Sequence, residues 1–97
     1  MEKSPYSKKE KSQFVFLNLK ERNGEREYFH PSVHEIPARL DINEFAEDYA
    51  SEFYDPRFVE AADDGYYFNS GEVHVRVYTA MAISKSHYDI MRSYLNS

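Results

Sequence analysis

The chain contains no cysteine, which excludes disulfide scaffolds, thiolate zinc sites, cysteine nucleophiles and iron–sulfur clusters. It has no tryptophan and only three glycines. Each glycine falls at a turn or a helix stop, so no glycine-rich loop is left to cradle a phosphate. No apolar run approaches the roughly 18 residues that span a bilayer. Residues 1–12, MEKSPYSKKEKS, lack the apolar stretch of an export signal. The expected location is the cytoplasm, with no membrane contact. A G-x-S-x-G elbow is missing as well, and no serine has an obvious local base.

What is present fits one small domain. The chain has 97 residues, 41% hydrophobic, with nine tyrosines and seven phenylalanines to fill a core. A chain of this size buries only about 60–65% of the surface exposed on unfolding, so its aromatics carry much of the packing. Residues 1–12 hold four lysines against two glutamates and show no periodicity. They are expected to form a flexible basic arm, with residues 13–97 as a single domain.

Residues 13–20, QFVFLNLK, have strand composition. Asn23-Gly24 then signals a tight hairpin with both residues at the centre of a type I′ turn. That register sets Arg22 against Glu25, Glu21 against Arg26 and Lys20 against Glu27, three pairs of opposite sign. It also puts Pro31 opposite Phe16, so the second strand is an edge strand or breaks there. Residues 41–54 read as a helix. Asp41 is the N-cap, Glu44 completes a capping-box pattern, and Ile42, Phe45, Ala46, Tyr49, Ala50 and Phe53 form the apolar stripe. Asp55-Pro56 stops it, and residues 57–62 suggest a further helical turn or two ended by Gly65.

A second hairpin is expected over residues 66–83, turning at Asn69-Ser70-Gly71-Glu72. The alternation from Val73 to Ile83 predicts a strand with one apolar face, Val73, Val75, Val77, Thr79, Met81 and Ile83. Ser84 or Ser86 caps a closing helix whose stripe is His87, Ile90, Met91, Tyr94 and Leu95. The fold class is therefore α+β, in the order ββα(α)ββα. Two antiparallel hairpins form a small four-stranded sheet, with two to three helices on one face.

Charge is distributed unevenly. The whole chain carries −5, yet residues 41–64 hold nine acids against one base, Arg57, for −8. Glu44, Glu47, Asp48 and Glu52 lie opposite the apolar stripe, and no lysine follows at the four-residue spacing that stabilises exposed helices. The carboxylates from Asp41 to Asp55 span about 20 Å of helix, one about every 3.5 Å, near the charge spacing of one DNA strand. The expectation is a non-catalytic protein-binding module that occupies a basic surface of a partner. One version is an inhibitor or accessory protein that mimics DNA in a nucleic-acid-binding groove. The contact set comprises Asp41, Glu44, Glu47, Asp48, Glu52 and Asp55 with Tyr54 and Tyr66. The plainer reading is an ordinary solvated helix face. Tyrosines such as Tyr66, Tyr67, Tyr78 and Tyr88 also suit protein contacts, including a homodimer.

Metal and cofactor chemistry find little support. Asp63-Asp64-Gly65 runs into Tyr66-Tyr67-Phe68, which breaks a calcium-loop pattern. His30 and His34 have helical zinc spacing, but on an extended strand they stand about 13 Å apart. No cofactor is implied. Two further alternatives remain. One is a small histidine-dependent enzyme built around His74 or His87. The other is a nucleic-acid-binding sheet face formed by His74, Arg76 and Tyr78 with Phe14, Phe16 or Tyr28. The acidic balance argues against nucleic acid as a partner.

Overall fold

A computed structural model describes residues 11–95. The basic arm expected at residues 1–12 lies outside the described residues except for Lys11 and Ser12. The elements are β1 (Ser12–Asn23), β2 (Arg26–Pro37), α1 (Ile42–Ser51), a 3-10 turn (Pro56–Phe58), β3 (Glu60–Ala62), β4 (Gly65–Phe68), β5 (Val73–Ile83) and α2 (Lys85–Leu95). The architecture is α+β. Its sheet is antiparallel with five strands in the order β2-β1-β5-β4-β3, and two helices accompany it.

The fifth strand is a correction to the expected four. Residues 60–62 pair with β4, Glu60 opposite Tyr67 and Ala62 opposite Gly65, instead of extending a helix. A helix of that length would pay the nucleation cost for almost no internal hydrogen bonds. A two-residue Asp63-Asp64 turn satisfies the backbone better. Gly65 makes this possible: its φ is +139°, and a Cβ there would sit 2.7 Å from the Val75 carbonyl oxygen.

The first hairpin forms, but two residues out of the expected register. Asn23 pairs with Arg26, Arg22 with Glu27 and Glu21 with Tyr28, which leaves Gly24-Glu25 as the loop. Gly24 has φ +65° and Glu25 is not in the positive region, so the single glycine takes the first central position. A type II′ turn asks for that placement. A two-residue shift preserves which side of the sheet each side chain faces. Lys20 still reaches Glu27 diagonally, at 3.6 Å. Pro31 now faces Asn18, and β2 remains unbroken as an outer strand of the sheet among the described residues, where a missing N–H is tolerated.

In the middle of β1 the odd-numbered residues, Val15, Leu17, Leu19 and Glu21, are buried. Leu17 and Leu19 join Val73, Val75 and Phe68 from the sheet and Ala46 and Ala50 from α1 in one core. On β5 the expected single apolar face does not persist. The register shifts between Asn18 and Leu19, which face Thr79 and Val77, so Tyr78 is an inserted bulge residue. Past it Ala80 and Ala82 take over the α1 side opposite Leu17 and Val15, while Met81 and Ile83 turn to the other side opposite Phe16 and Phe14.

The helices do not share one face, which is a second correction. Phe14, one residue from core-facing Val15 and hence on the reverse side, meets Tyr88 of α2 with ring centroids 4.8 Å apart. Tyr88 is buried and Met91 half-buried, whereas the anticipated stripe residues His87, Ile90 and Tyr94 are exposed. Ser84 caps α2 by accepting the His87 N–H at 3.1 Å. Among the described residues, α2 is the helix on that side and reaches only one end of it. No other described element covers the rest of the reverse face.

Candidate functional site

Helix α1 is positioned at its N-terminal end by side-chain hydrogen bonds. The Gln13 amide donates to the carbonyl oxygens of Pro37, Ala38 and Leu40, fixing the loop that feeds the helix. The Asp41 carboxylate then accepts the Asn43 N–H at 3.3 Å. Alanines 46 and 50 let the helix approach the sheet closely. Around them Phe45, Tyr49 and Phe53 meet the rings of His34 and His30 on β2 at 4.8–5.3 Å. The two histidines are thus part of the packing. His30 donates to Glu21 and His34 pairs with the Ser32 hydroxyl, both at 2.7 Å. Burial holds the His34 ring below its usual pKa.

The outward face of α1 carries Glu44, Glu47 and Asp48, with Glu52 at the C-cap, and all four are exposed. Glu47 accepts the Tyr66 hydroxyl at 2.7 Å, which ties β4 to the helix. The hydrogen bond to Glu47 pushes the Tyr66 phenol up to about 12, helped by burial and by the charges of Glu47 and Asp48. Glu44, Asp48 and Glu52 form no ion pair with a described residue. They stand four residues apart, in steps of about 6 Å along the axis.

The helix ends at Ser51, not at Tyr54. Asp55 therefore lies beyond the ridge, where it caps the 3-10 turn by accepting the Arg57 N–H. Its carboxylate also binds the Arg57 guanidinium, at 3.0 and 2.8 Å. That guanidinium holds the Asp55 carboxyl below its usual range. The anionic row is shorter than an uninterrupted helix through residue 55 would have made it. Tyr54 turns its hydroxyl inward to Glu21 and leaves its ring half exposed.

Glu21 is the polar group that composition and pairing did not reveal. It was expected in an exposed cross-strand ion pair, yet it is 2% exposed. His30 Nε2 approaches one of its oxygens at 2.7 Å and the Tyr54 hydroxyl the other at 2.8 Å. Burial and this contact raise the Tyr54 phenol to about 12. The signal was available: Glu21 continues the alternating row Val15, Leu17, Leu19. His74 is likewise committed, 5% exposed and hydrogen-bonded through Nε2 to the Asp64 carbonyl at 2.9 Å.

An open groove of about 890 Å³ lies between the Tyr54–Glu60 segment and the β4–β5 turn. Tyr54, Phe58, Tyr67 and Phe68 supply aromatic walls, while no histidine, lysine or arginine lines it. Asp55, at its edge, is already held by Arg57. Such a groove accepts apolar groups but offers no base–nucleophile pair. Among the described residues, no group of three or more histidine or acidic side chains is arranged to hold a metal ion, and no helix is long and apolar enough to cross a membrane. Comparison with protein-family models, curated proteins and solved structures finds no match.

Proposed function

We propose that this chain is a non-catalytic binding module whose acidic α1 face docks on a basic surface of a partner protein. The observation that carries this reading is the state of Glu44, Asp48 and Glu52: exposed, aligned, and without a base from any described residue. Their placement works against the helix itself. Like charges four apart repel. Asp48 and Glu52 also sit at the negative end of the helix dipole, where no basic residue occupies the last turn. Selection for stability alone favours the opposite arrangement. Tyr66, hydrogen-bonded to Glu47, adds half-buried aromatic surface at the margin.

A nucleic-acid-binding groove on another protein has the required chemistry, so inhibition by occupying such a groove is the concrete form of the proposal. The test is a pulldown with the immobilised chain over rising salt, beside a variant carrying Glu44→Lys, Asp48→Lys and Glu52→Lys. Exposed charges are screened over about 8–10 Å at physiological salt, so captured partners should elute as ionic strength rises. The variant should capture none of them while keeping its thermal melt. Undiminished capture by the variant refutes the acidic-face reading.

A further inference from the structure

On the reverse of the sheet from α1, the rows around Lys20 bring together a set of side chains unlike anything on the acidic side. Phe29 of β2 and Tyr78 of β5 lean toward each other over β1, ring centroids 5.0 Å apart and edge to face. They are 49% and 53% exposed. Each ring carries a cation: Lys20 Nζ lies 5.9 Å from the Phe29 centroid, and the Arg76 guanidinium 5.5 Å from that of Tyr78. Beside this plate runs a cleft of about 210 Å³ lined by Lys20, Arg22, Arg76, His74, Glu27 and Asp64. Strand register accounts for the pairing, since Lys20 lies opposite both Phe29 and Arg76. Alternation from Val75 and Val77 sets Arg76 and Tyr78 together on the reverse side, and the inserted residue keeps Thr79 there as well, opposite Asn18. Next to the bulge and on the same side of the sheet, Asn18 Oδ1 is buried without a hydrogen-bond donor.

We propose that this open face binds a single strand of nucleic acid. Bases would stack on Phe29 and Tyr78, and the phosphates would run past Lys20, Arg22 and Arg76. Half-exposed aromatics flanked by cations are the chemistry of sequence-tolerant single-strand binding. A flat, open plate suits successive nucleotides better than one enclosed mononucleotide. The acidic balance of the chain opposes this only as a total. Glu44, Glu47, Asp48 and Glu52 occupy the opposite side of the sheet, whereas the cleft beside the plate holds three bases against two acids. His74 and Tyr28 take no part: His74 is buried, and Tyr28 faces Glu21 on the α1 side. This surface is separate from the one in the proposed function and stands or falls independently of it.

The test is fluorescence anisotropy of the full chain with labelled oligothymidylate and oligouridylate about 12 nucleotides long. Three phosphate contacts give a slope of about −2 in log K against log salt, roughly a fifteen-fold loss between 50 and 200 mM. Phe29→Ala and Tyr78→Ala should each weaken binding about tenfold. Tyr78→Phe, which keeps the ring, should bind as the parent chain does, and Arg76→Gln should weaken binding and flatten the salt slope. The triple reversal on α1 should retain the strand. Absence of binding at low salt overturns the proposal, as does binding indifferent to loss of both rings. Equal affinity for a mononucleotide assigns the face to a free nucleotide instead. Self-association abolished by Tyr78→Ala, seen by sedimentation, assigns it to a second copy of the chain.

Discussion

Replacement of Glu21 probes the buried polar centre of the molecule most directly. The carboxylate is 2% exposed and receives hydrogen bonds from His30 and Tyr54 at 2.7 and 2.8 Å. Hydrogen bonds to a charged group contribute about 1.5–3 kcal/mol each, offset by the several kcal/mol needed to bury the carboxylate. Glu21→Ala removes both bonds and leaves a void between core residues. His30 and Tyr54 keep partial access to water, 34% for the His30 side chain and 43% for Tyr54, so the two orphaned groups can rehydrate. The expected loss is about 3 kcal/mol, a fall in Tm of roughly 12–24 °C for a chain of this length. Glu21→Gln keeps the shape and a neutral acceptor for the Tyr54 hydroxyl, and should cost about 1 kcal/mol. Glu21→Leu fills the space without a charge to desolvate and should cost about as little. Urea denaturation ranks the three. Tyrosinate absorbance supplies a second readout: Tyr54 should ionise below its value of about 12 in the alanine and leucine variants, which lose the hydrogen bond and charge of Glu21 but keep the larger cause of the rise, burial. An alanine variant within 1 kcal/mol of the parent, or a Tyr54 whose ionisation is unmoved by Glu21→Leu, would show that the centre does not hold the fold as argued.

Three further outcomes are expected. Gly65→Ala should destabilise by about 3 kcal/mol in urea, because its Cβ would press on the Val75 carbonyl and His74 Nε2 at 2.7 and 2.8 Å in a positive-φ conformation. Stability should fall as pH drops below 6.5, since the unfolded chain protonates His34 before the folded one does. It should also fall as pH rises from about 10 to 12, where Tyr54 and Tyr66 ionise in the unfolded chain but remain protonated in the fold. Thermal melts across pH check both limbs, and His34→Phe should flatten the acid one. The α1 triple reversal should hold or slightly raise the Tm, because it removes repulsion along the helix and places cations at its negative end; a fall of more than a few degrees would mean that those carboxylates support the fold.

How far the sequence discloses the structure varies from element to element for physical reasons. Helix α1, its Asp41 cap and its apolar stripe were legible because a cap and a 3.6-residue period reinforce each other. The first hairpin was legible as a hairpin but not in register: Asn23-Gly24 fits two turn types, and both registers bury the same residues. The phase reversal on β5 was hidden because Ala80 and Ala82 compete with Met81 and Ile83 for the core side, and both rows are apolar. Short β3 has no periodicity of its own, since three residues acquire strand geometry only through their partner β4. Among the contact residues, the exposure of Glu44, Asp48 and Glu52 follows from helical spacing alone. The inward turn of Tyr54 depends on a carboxylate 33 positions away, which no local pattern carries.

That inward turn also constrains how the two sides of the sheet can act. Glu21 and Lys20 are neighbours on β1, yet one anchors Tyr54 beneath α1 while the other lies against Phe29 on the open side. Strand alternation therefore sends opposite charges to opposite faces within a single dipeptide. A ligand pressing on the Phe29–Tyr78 plate meets a strand whose other side is locked by close packing and two short hydrogen bonds. It should not be transmitted to α1 by movement of the sheet, because interiors packed at this density resist small displacements. Coupling between an anionic ligand on one side and a cationic partner on the other would instead be electrostatic across the sheet, attractive, and weakened by salt. A strand-bound chain should then hold a basic partner more tightly at low ionic strength and no more tightly at high ionic strength. Coupling that persists undiminished in high salt would require a conformational route that the packing around Leu17, Leu19 and Ala50 does not provide.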